Sequence, residues 1–128
     1  MKGKPNNVIR IPTSAEKFFK YWILFTRPFH NLTEKEMDVT ACILKYRYSL
    51  SKVIMDEDIL DMMLFGEDTR SKIRAECNVS SAFFQVILGK LRKVGIIKEG
   101  KINPRFIPNF KESEDFKLLI YFDIDEVK

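Results

Sequence analysis

Apolar side chains recur every three or four residues in the second half of the chain, which predicts an amphipathic helix. Its apolar face comprises Phe84, Ile87, Leu88, Leu91 and Val94. Ser80 stands where a helix N-cap is expected, and Gly95 stands where the helix should end. Beyond the helix, Ile96-Ile97 and Ile102 flank Glu99-Gly100, a dipeptide that favours a hairpin turn.

A shorter helix precedes this one and ends near Cys77, with Asp68 or Thr69 as its expected cap. Asn78 lies between the two helices, where a left-handed backbone is often needed and Asn tolerates it. Residues 69–108 are therefore predicted to form a short helix, a tight turn, a longer helix and a small hairpin.

Three more helices are predicted before this segment. The first runs from about residue 14 to residue 25, because Thr13 and Glu16 fit a capping box in which side chains and backbone amides bond reciprocally. An aromatic stripe on this helix is expected to enter the core. The stripe comprises Phe18, Tyr21, Trp22 and Phe25.

The second helix, about residues 34–48, follows another capping box at Thr33 and Glu36. The third begins at Asp56 and ends near Phe65, with acids in its first turn, where the helix dipole favours them. Gly66 is expected just past its end, in the C′ position.

The last apolar run, Phe116–Ile124, alternates in a way that predicts a half-buried strand. An acidic break, Glu112–Asp115, separates it from the hairpin. It could pair with residues Val8–Ile11 of the same chain or with a second copy or another protein by strand addition. We favour pairing within the chain, because an unpaired apolar edge invites aggregation.

Charge is segregated along the 128 residues, although the net charge is only +4. Residues 69–111 carry ten Lys or Arg against two acids, whereas residues 30–68 carry four against nine. Positive charge gathered on a helix-turn-helix segment is typical of a nucleic-acid binder, and it is equally compatible with a solvated face that has no polyanion partner.

Length and composition predict one soluble, cytoplasmic domain without a signal peptide, in which 1–12 is a basic arm, 13–68 a helical part, 69–108 the helix-turn-helix with hairpin, and 109–128 an acidic tail. Cys42 and Cys77 lack metal-site spacing and are expected to be reduced thiols. His30 has no nearby nucleophile pair, and the acids at 56–61 do not follow a calcium-loop order. No enzyme activity, metal or cofactor is predicted.

The segment Ile73-Arg-Ala-Glu-Cys-Asn-Val-Ser80 resembles the helix-turn-helix motif of the winged helix-turn-helix superfamily, and Leu88–Ile97 resembles the passage from its recognition helix into the wing. Arg74 departs from the small residue usual there, and its stem is expected to bend aside and place the charge at the surface. The overall pattern is most similar to small winged-helix proteins of bacteriophages and mobile elements. The resemblance implies a mainly α fold with small β content: a winged helix with an extra N-terminal helix and a C-terminal strand.

The resemblance also implies double-stranded DNA as the partner, in transcriptional regulation, DNA organisation or replication. The longer helix would enter the major groove, with Gln85 suited to adenine, while other side chains hold phosphates. The predicted contacts are Arg70, Lys72, Ser81, Gln85, Lys90, Arg92, Lys93, Lys98, Lys101 and Arg105. The alternative is a protein-interaction or virion-assembly module that contacts a protein, or a second copy, through Phe83, Val86 or the strand Phe116–Ile124. Burial of Phe83 and Val86 would favour DNA, and their exposure would favour a protein partner.

Overall fold

The computed structural model describes residues 8–109, 111 and 114–125. Within this part the chain is mainly helical and carries one two-stranded antiparallel sheet. The helices are α1 (Ala15–Phe25), α2 (Glu34–Ser51), α3 (Glu57–Leu64), α4 (Glu67–Cys77) and α5 (Ser81–Lys93). The strands are β1 (Ile97–Lys98) and β2 (Lys101–Ile102), and short 3-10 turns cover Arg27–Phe29 and Pro104–Phe106. Most of the predicted basic arm, residues 1–7, lies outside the described residues.

Helix α2 is the centre of the core. All of its residues from Val39 to Leu44 are buried, because α1, α3 and α4 pack around it. Thr33 caps it and forms the predicted capping box with Glu36: the Thr33 side chain accepts from the Glu36 amide, and the Thr33 amide donates to the Glu36 carboxylate. None of the described helices is both long and apolar enough to cross a bilayer.

The predicted turn between α4 and α5 and the predicted start of α5 form as expected. Asn78 ends α4 with a left-handed backbone (φ 56°, ψ 53°), and the Ser80 hydroxyl accepts from the Phe83 amide at 3.0 Å to cap α5. Gly95 then ends α5 with φ 87°, so that the Ile96 amide donates to the Leu91 carbonyl at 2.9 Å. The predicted apolar face of α5 enters the core.

The hairpin is closed by Glu99-Gly100, both of which have positive φ. Ile97 faces Ile102 across the strands, and both side chains are buried. The Asn103 side-chain amide donates to the Gly95 carbonyl at 2.9 Å, which ties the end of the hairpin to the end of α5.

The start and the buried face of α1 differ from the prediction. Ser14, not Thr13, is the N-cap, and its hydroxyl accepts from the Lys17 amide, so the predicted box with Glu16 is wrong. Phe19 and Ile23 form the core face of α1. Of the predicted stripe, Phe18 and Trp22 are half-buried, while Tyr21 and Phe25 are exposed.

The junction of α3 and α4 also differs. Phe65 ends α3, and Gly66 has an extended backbone (φ −73°, ψ 162°) as the N-cap of α4. Gly66 thus stands in the predicted C′ position of α3, with an extended rather than a left-handed backbone, whereas the prediction of Asp68 or Thr69 as the cap of α4 is wrong. Thr69 is instead buried inside the first turns of α4, where its small side chain fits against the core.

The predicted C-terminal strand is absent from the described part of the chain. Residues 114–125 belong to no helix or strand, and Val8–Ile11 is likewise irregular and exposed. The tail contacts α1 through Phe116, whose ring lies edge-on to Phe18 and Trp22, with centroids 5.0 and 5.9 Å apart. Apart from a 3.8 Å ion pair between Arg10 and Asp115, the predicted pairing of the two segments within the chain is not formed.

Candidate nucleic-acid interface

The outward surface of α5 is small, apolar and basic. At about 100° per residue, Ala82, Val86 and Lys93 lie opposite the buried face, with Gly89 beside them. Ala82, Val86 and Lys93 are exposed and Gly89 is half-buried; a Cβ added to Gly89 would meet no atom within 4 Å. No contact within the described molecule therefore requires a glycine at this position.

The residues predicted to contact bases lie on this surface or at its margin. Ser81 and Gln85 are exposed in the first two turns of α5. On the opposite margin lies Phe83, which is 41% exposed, and Val86 on the outward surface is 65% exposed. The apolar side chains are thus available to a partner.

The basic side chains around α5 fall into two groups. Arg92, Lys93 and Lys98 are exposed, Lys90 is half-buried, and no acid of the described residues lies within ion-pair distance of these four. Arg105 is also exposed and stacks over the Phe29 ring at 5.3 Å. Lys90, Arg92, Lys93 and Lys98 form a basic rim from the C-terminal turn of α5 to the hairpin, whereas Arg105 lies by the turn that follows α1.

The second group is partly neutralised. Lys72 lies 3.5 Å from Asp68, and the Lys101 ammonium lies 2.5 Å from Asp58 on α3. The hydrogen bond between Lys101 and Asp58 lowers the pKa of Asp58 and raises that of Lys101, so the pair is ionised across the neutral range. Consequently the local charge is smaller than the sequence count of residues 69–111 implies.

The two arginines of α4 are half-buried and lie against the Phe84 ring. The guanidinium groups of Arg70 and Arg74 lie 5.8 and 6.0 Å from the centre of the Phe84 ring, and Arg74 donates to Glu67 at 2.9 Å. Arg70 is half-buried, and its Nε has no hydrogen-bond partner among the described atoms. The Arg74 side chain is only 19% exposed, because it covers the aromatic ring, and its charged end is bound to Glu67, whose side chain is 74% exposed.

Helix α2 fixes the position of α4 through polar contacts that the sequence did not reveal. Glu76 on α4 accepts from the Tyr46 hydroxyl at 3.1 Å and from the Lys45 ammonium. Lys35 donates to the Cys77 carbonyl at 2.7 Å, at the negative end of the α4 dipole. These bonds join residues 30 to 42 positions apart in sequence, so no local motif predicts them.

The two cysteines and His30, for which no catalytic role is predicted, lie in the core or at its edge. Cys42 is buried and Cys77 half-buried, and both are free thiols. Interaction between the two thiols raises the pKa of Cys42 and lowers that of Cys77, and the Cys77 thiol also donates to the Asp38 carbonyl at 4.0 Å. His30 is buried, its Nδ1 accepts from the Leu32 amide, and its Nε2 donates to the Ile23 carbonyl, each at 3.0 Å.

No cluster of three or more metal-ligating side chains is formed by the residues that the structure describes. Helix α5 thus exposes one face to solvent, and the basic rim lies beside that face. Comparison with protein-family models, with curated proteins and with solved structures found no match for this chain.

Proposed function

We propose that this protein binds duplex DNA, with α5 in the major groove and the β1–β2 hairpin on the adjacent backbone, in the manner of a winged helix. The observation that carries the proposal is the exposed face of α5, rimmed by cations without acidic partners among the described residues. An α-helix fits the major groove, and unpaired Lys and Arg beside it can displace the counterions of phosphates.

The outward surface of α5 also suggests what it would read. Gln85 can bond to both the N6 amino group and N7 of adenine, while Ala82, Val86 and Phe83 can contact the thymine methyl group. The first two turns of α5, which lie nearest the bases in a winged helix, carry no Arg or Lys to recognise guanine. The proposal is therefore preferential binding to A·T-rich sites, with affinity supplied by phosphates.

The test is a fluorescence-anisotropy titration of A·T-rich and G·C-rich duplexes over a series of salt concentrations. Binding should weaken steeply with salt, with log K falling by about 0.9 for each phosphate neutralised per tenfold rise in salt. Arg92→Glu/Lys93→Glu should weaken binding to every duplex. The matched control, Lys17→Glu/Lys20→Glu, makes the same charge change on exposed residues of α1 and should have a much smaller effect.

Absence of binding at low salt, or equal losses in the two double variants, would contradict the proposal. The exposure of Phe83 and Val86 favours a second candidate, a protein-interaction module that uses the same helix. Phe83→Ser/Val86→Ser separates the two. If DNA is the partner, this variant should still bind duplexes with the same salt dependence but should lose the preference for A·T-rich sites. If the protein is an interaction module, neither the natural chain nor the variant should bind DNA.

A further inference from the structure

The C-terminal tail exposes a run of large apolar side chains. From Leu118 to Ile124 every apolar side chain is exposed, from 48% at Leu118 to 84% at Phe122. The residues have high strand propensity, yet they belong to no strand. An exposed apolar segment of high strand propensity that pairs with no strand of its own chain is a template for pairing with another chain.

We propose that this tail pairs with the tail of a second copy of the chain, as an antiparallel two-stranded ribbon centred on Ile120. A two-fold interface must be self-complementary, so that residue i of one copy contacts residue j of the other and the reverse. This tail meets that condition. With Ile120 opposite its own counterpart, Lys117 of each copy lies opposite Asp123 of the other, and Leu118 lies opposite Phe122.

Apolar pairing and charge together select this register. Shifting the pairing by two residues in one direction keeps an opposite-charge pair, Lys117 with Asp125, but sets Leu119 opposite Asp123 instead of Tyr121. Shifting it in the other direction sets Asp115 opposite Asp123 and leaves Lys117 opposite Tyr121. Opposite charges across strands stabilise a pair and like charges destabilise it. In the centred register Asp115 faces Asp125, and the Arg10 guanidinium, 3.8 Å from Asp115, lies where it offsets that repulsion.

The ribbon would have one apolar face, and the exposed aromatic stripe of α1 can cover it. The even-numbered side chains from 116 to 124 are all apolar and lie on one side of an extended strand. Phe116 already packs on Phe18 and Trp22, so this side starts against α1. Tyr21 and Phe25 continue the same helical stripe and are exposed. Since a two-stranded ribbon is marginal alone, the α1 stripe supplies the packing that it needs.

Molar mass by light scattering over a range of protein concentrations tests the pairing, and it is independent of DNA binding. The full chain should reach about twice its 15.1 kDa mass. Truncation after Lys117 keeps the Phe116 anchor and should give a folded monomer with unchanged helical circular dichroism. A full chain that stays monomeric, or a truncated chain that still dimerises, overturns the proposal.

Charge exchange tests the register. Lys117→Asp and Asp123→Lys each place like charges opposite one another twice per dimer, and each should weaken dimerisation about tenfold. The double variant K117D/D123K restores both pairs and should dimerise like the natural chain. A double variant as weak as either single variant would overturn the centred register.

Cross-linking gives a second readout of the same register. Ile120→Cys places two thiols opposite each other and should give a disulfide-linked dimer on mild oxidation. Leu118→Cys, on the same face but opposite Phe122, is the matched control and should cross-link far less, as should the natural chain with only Cys42 and Cys77. Equal cross-linking at positions 118 and 120 contradicts the register.

Discussion

His30 shows how one buried side chain can couple folding to pH. Both nitrogens of the neutral ring are satisfied, because Nδ1 accepts from the Leu32 amide and Nε2 donates to the Ile23 carbonyl. A proton on Nδ1 would place two donors against each other. Burial, the largest cause, therefore holds the pKa of His30 below its ordinary value, and the nearby Arg27 lowers it further.

A lowered pKa means that the unfolded chain takes up this proton more readily than the folded one. The contribution of His30 to stability should be complete above about pH 6.5 and fall as the pH drops towards the folded-state pKa. Urea denaturation of the natural chain and of His30→Gln, between about pH 8 and about pH 5, measures it. Since the chain has one histidine, the difference between the two curves isolates the effect. A constant difference would contradict the prediction.

Gln85 is the residue whose predicted role is most specific. Gln85→Ala should relax preference at one base pair of a selected site, at a cost of about 1–3 kcal/mol against the preferred base. Competitive binding of single-base variants of that site measures the change. Lys93→Ala serves as the control, since loss of a phosphate contact should weaken all sites alike. An unchanged preference in the Gln85 variant would move readout to DNA shape or to the arm.

At the scale of one element, α5 carries a glycine that its own fold does not require. Gly89→Ala should raise the free energy of unfolding by up to about 1 kcal/mol, because alanine favours a helix and the added methyl meets no atom within 4 Å. If α5 lies close to base edges, the same methyl should reduce DNA affinity. Chemical denaturation of this variant should therefore show a gain in stability, and anisotropy titration should show a loss of DNA affinity. A variant that is more stable and binds DNA equally well would show that Gly89 does not approach the groove.

At the scale of the whole molecule, the Asp58–Lys101 pair couples α3 to the hairpin across 43 positions of sequence. Both side chains are exposed, so Asp58→Asn should leave the midpoint of thermal unfolding nearly unchanged. It should, however, release Lys101 to meet a phosphate. DNA binding should then strengthen, and the slope of log K against log salt concentration should steepen by about 0.9.

The control for this variant is Glu57→Gln, which removes an exposed acid in the adjacent position and should have less effect. Asp56→Asn is unsuitable as a control because Asp56 caps α3. Equal slopes for both variants would contradict the prediction.

The fold could be predicted from sequence wherever a few adjacent residues decide it. The caps at Thr33 and Ser80, the left-handed Asn78 and the Glu99-Gly100 turn all follow from short-range bonding and backbone sterics. The sequence by itself therefore determined where most helices begin, where the chain turns and which face of α5 is buried.

Tertiary structure alone decided what depends on distant partners. Glu67 and Phe84 determine where the Arg74 charge goes, and Asp58 determines the state of Lys101. The tail has the alternation of a strand but forms none in the described chain, because a strand needs a partner and alternation does not supply one. Periodicity states which residues share a face; only the packed chain states what that face meets.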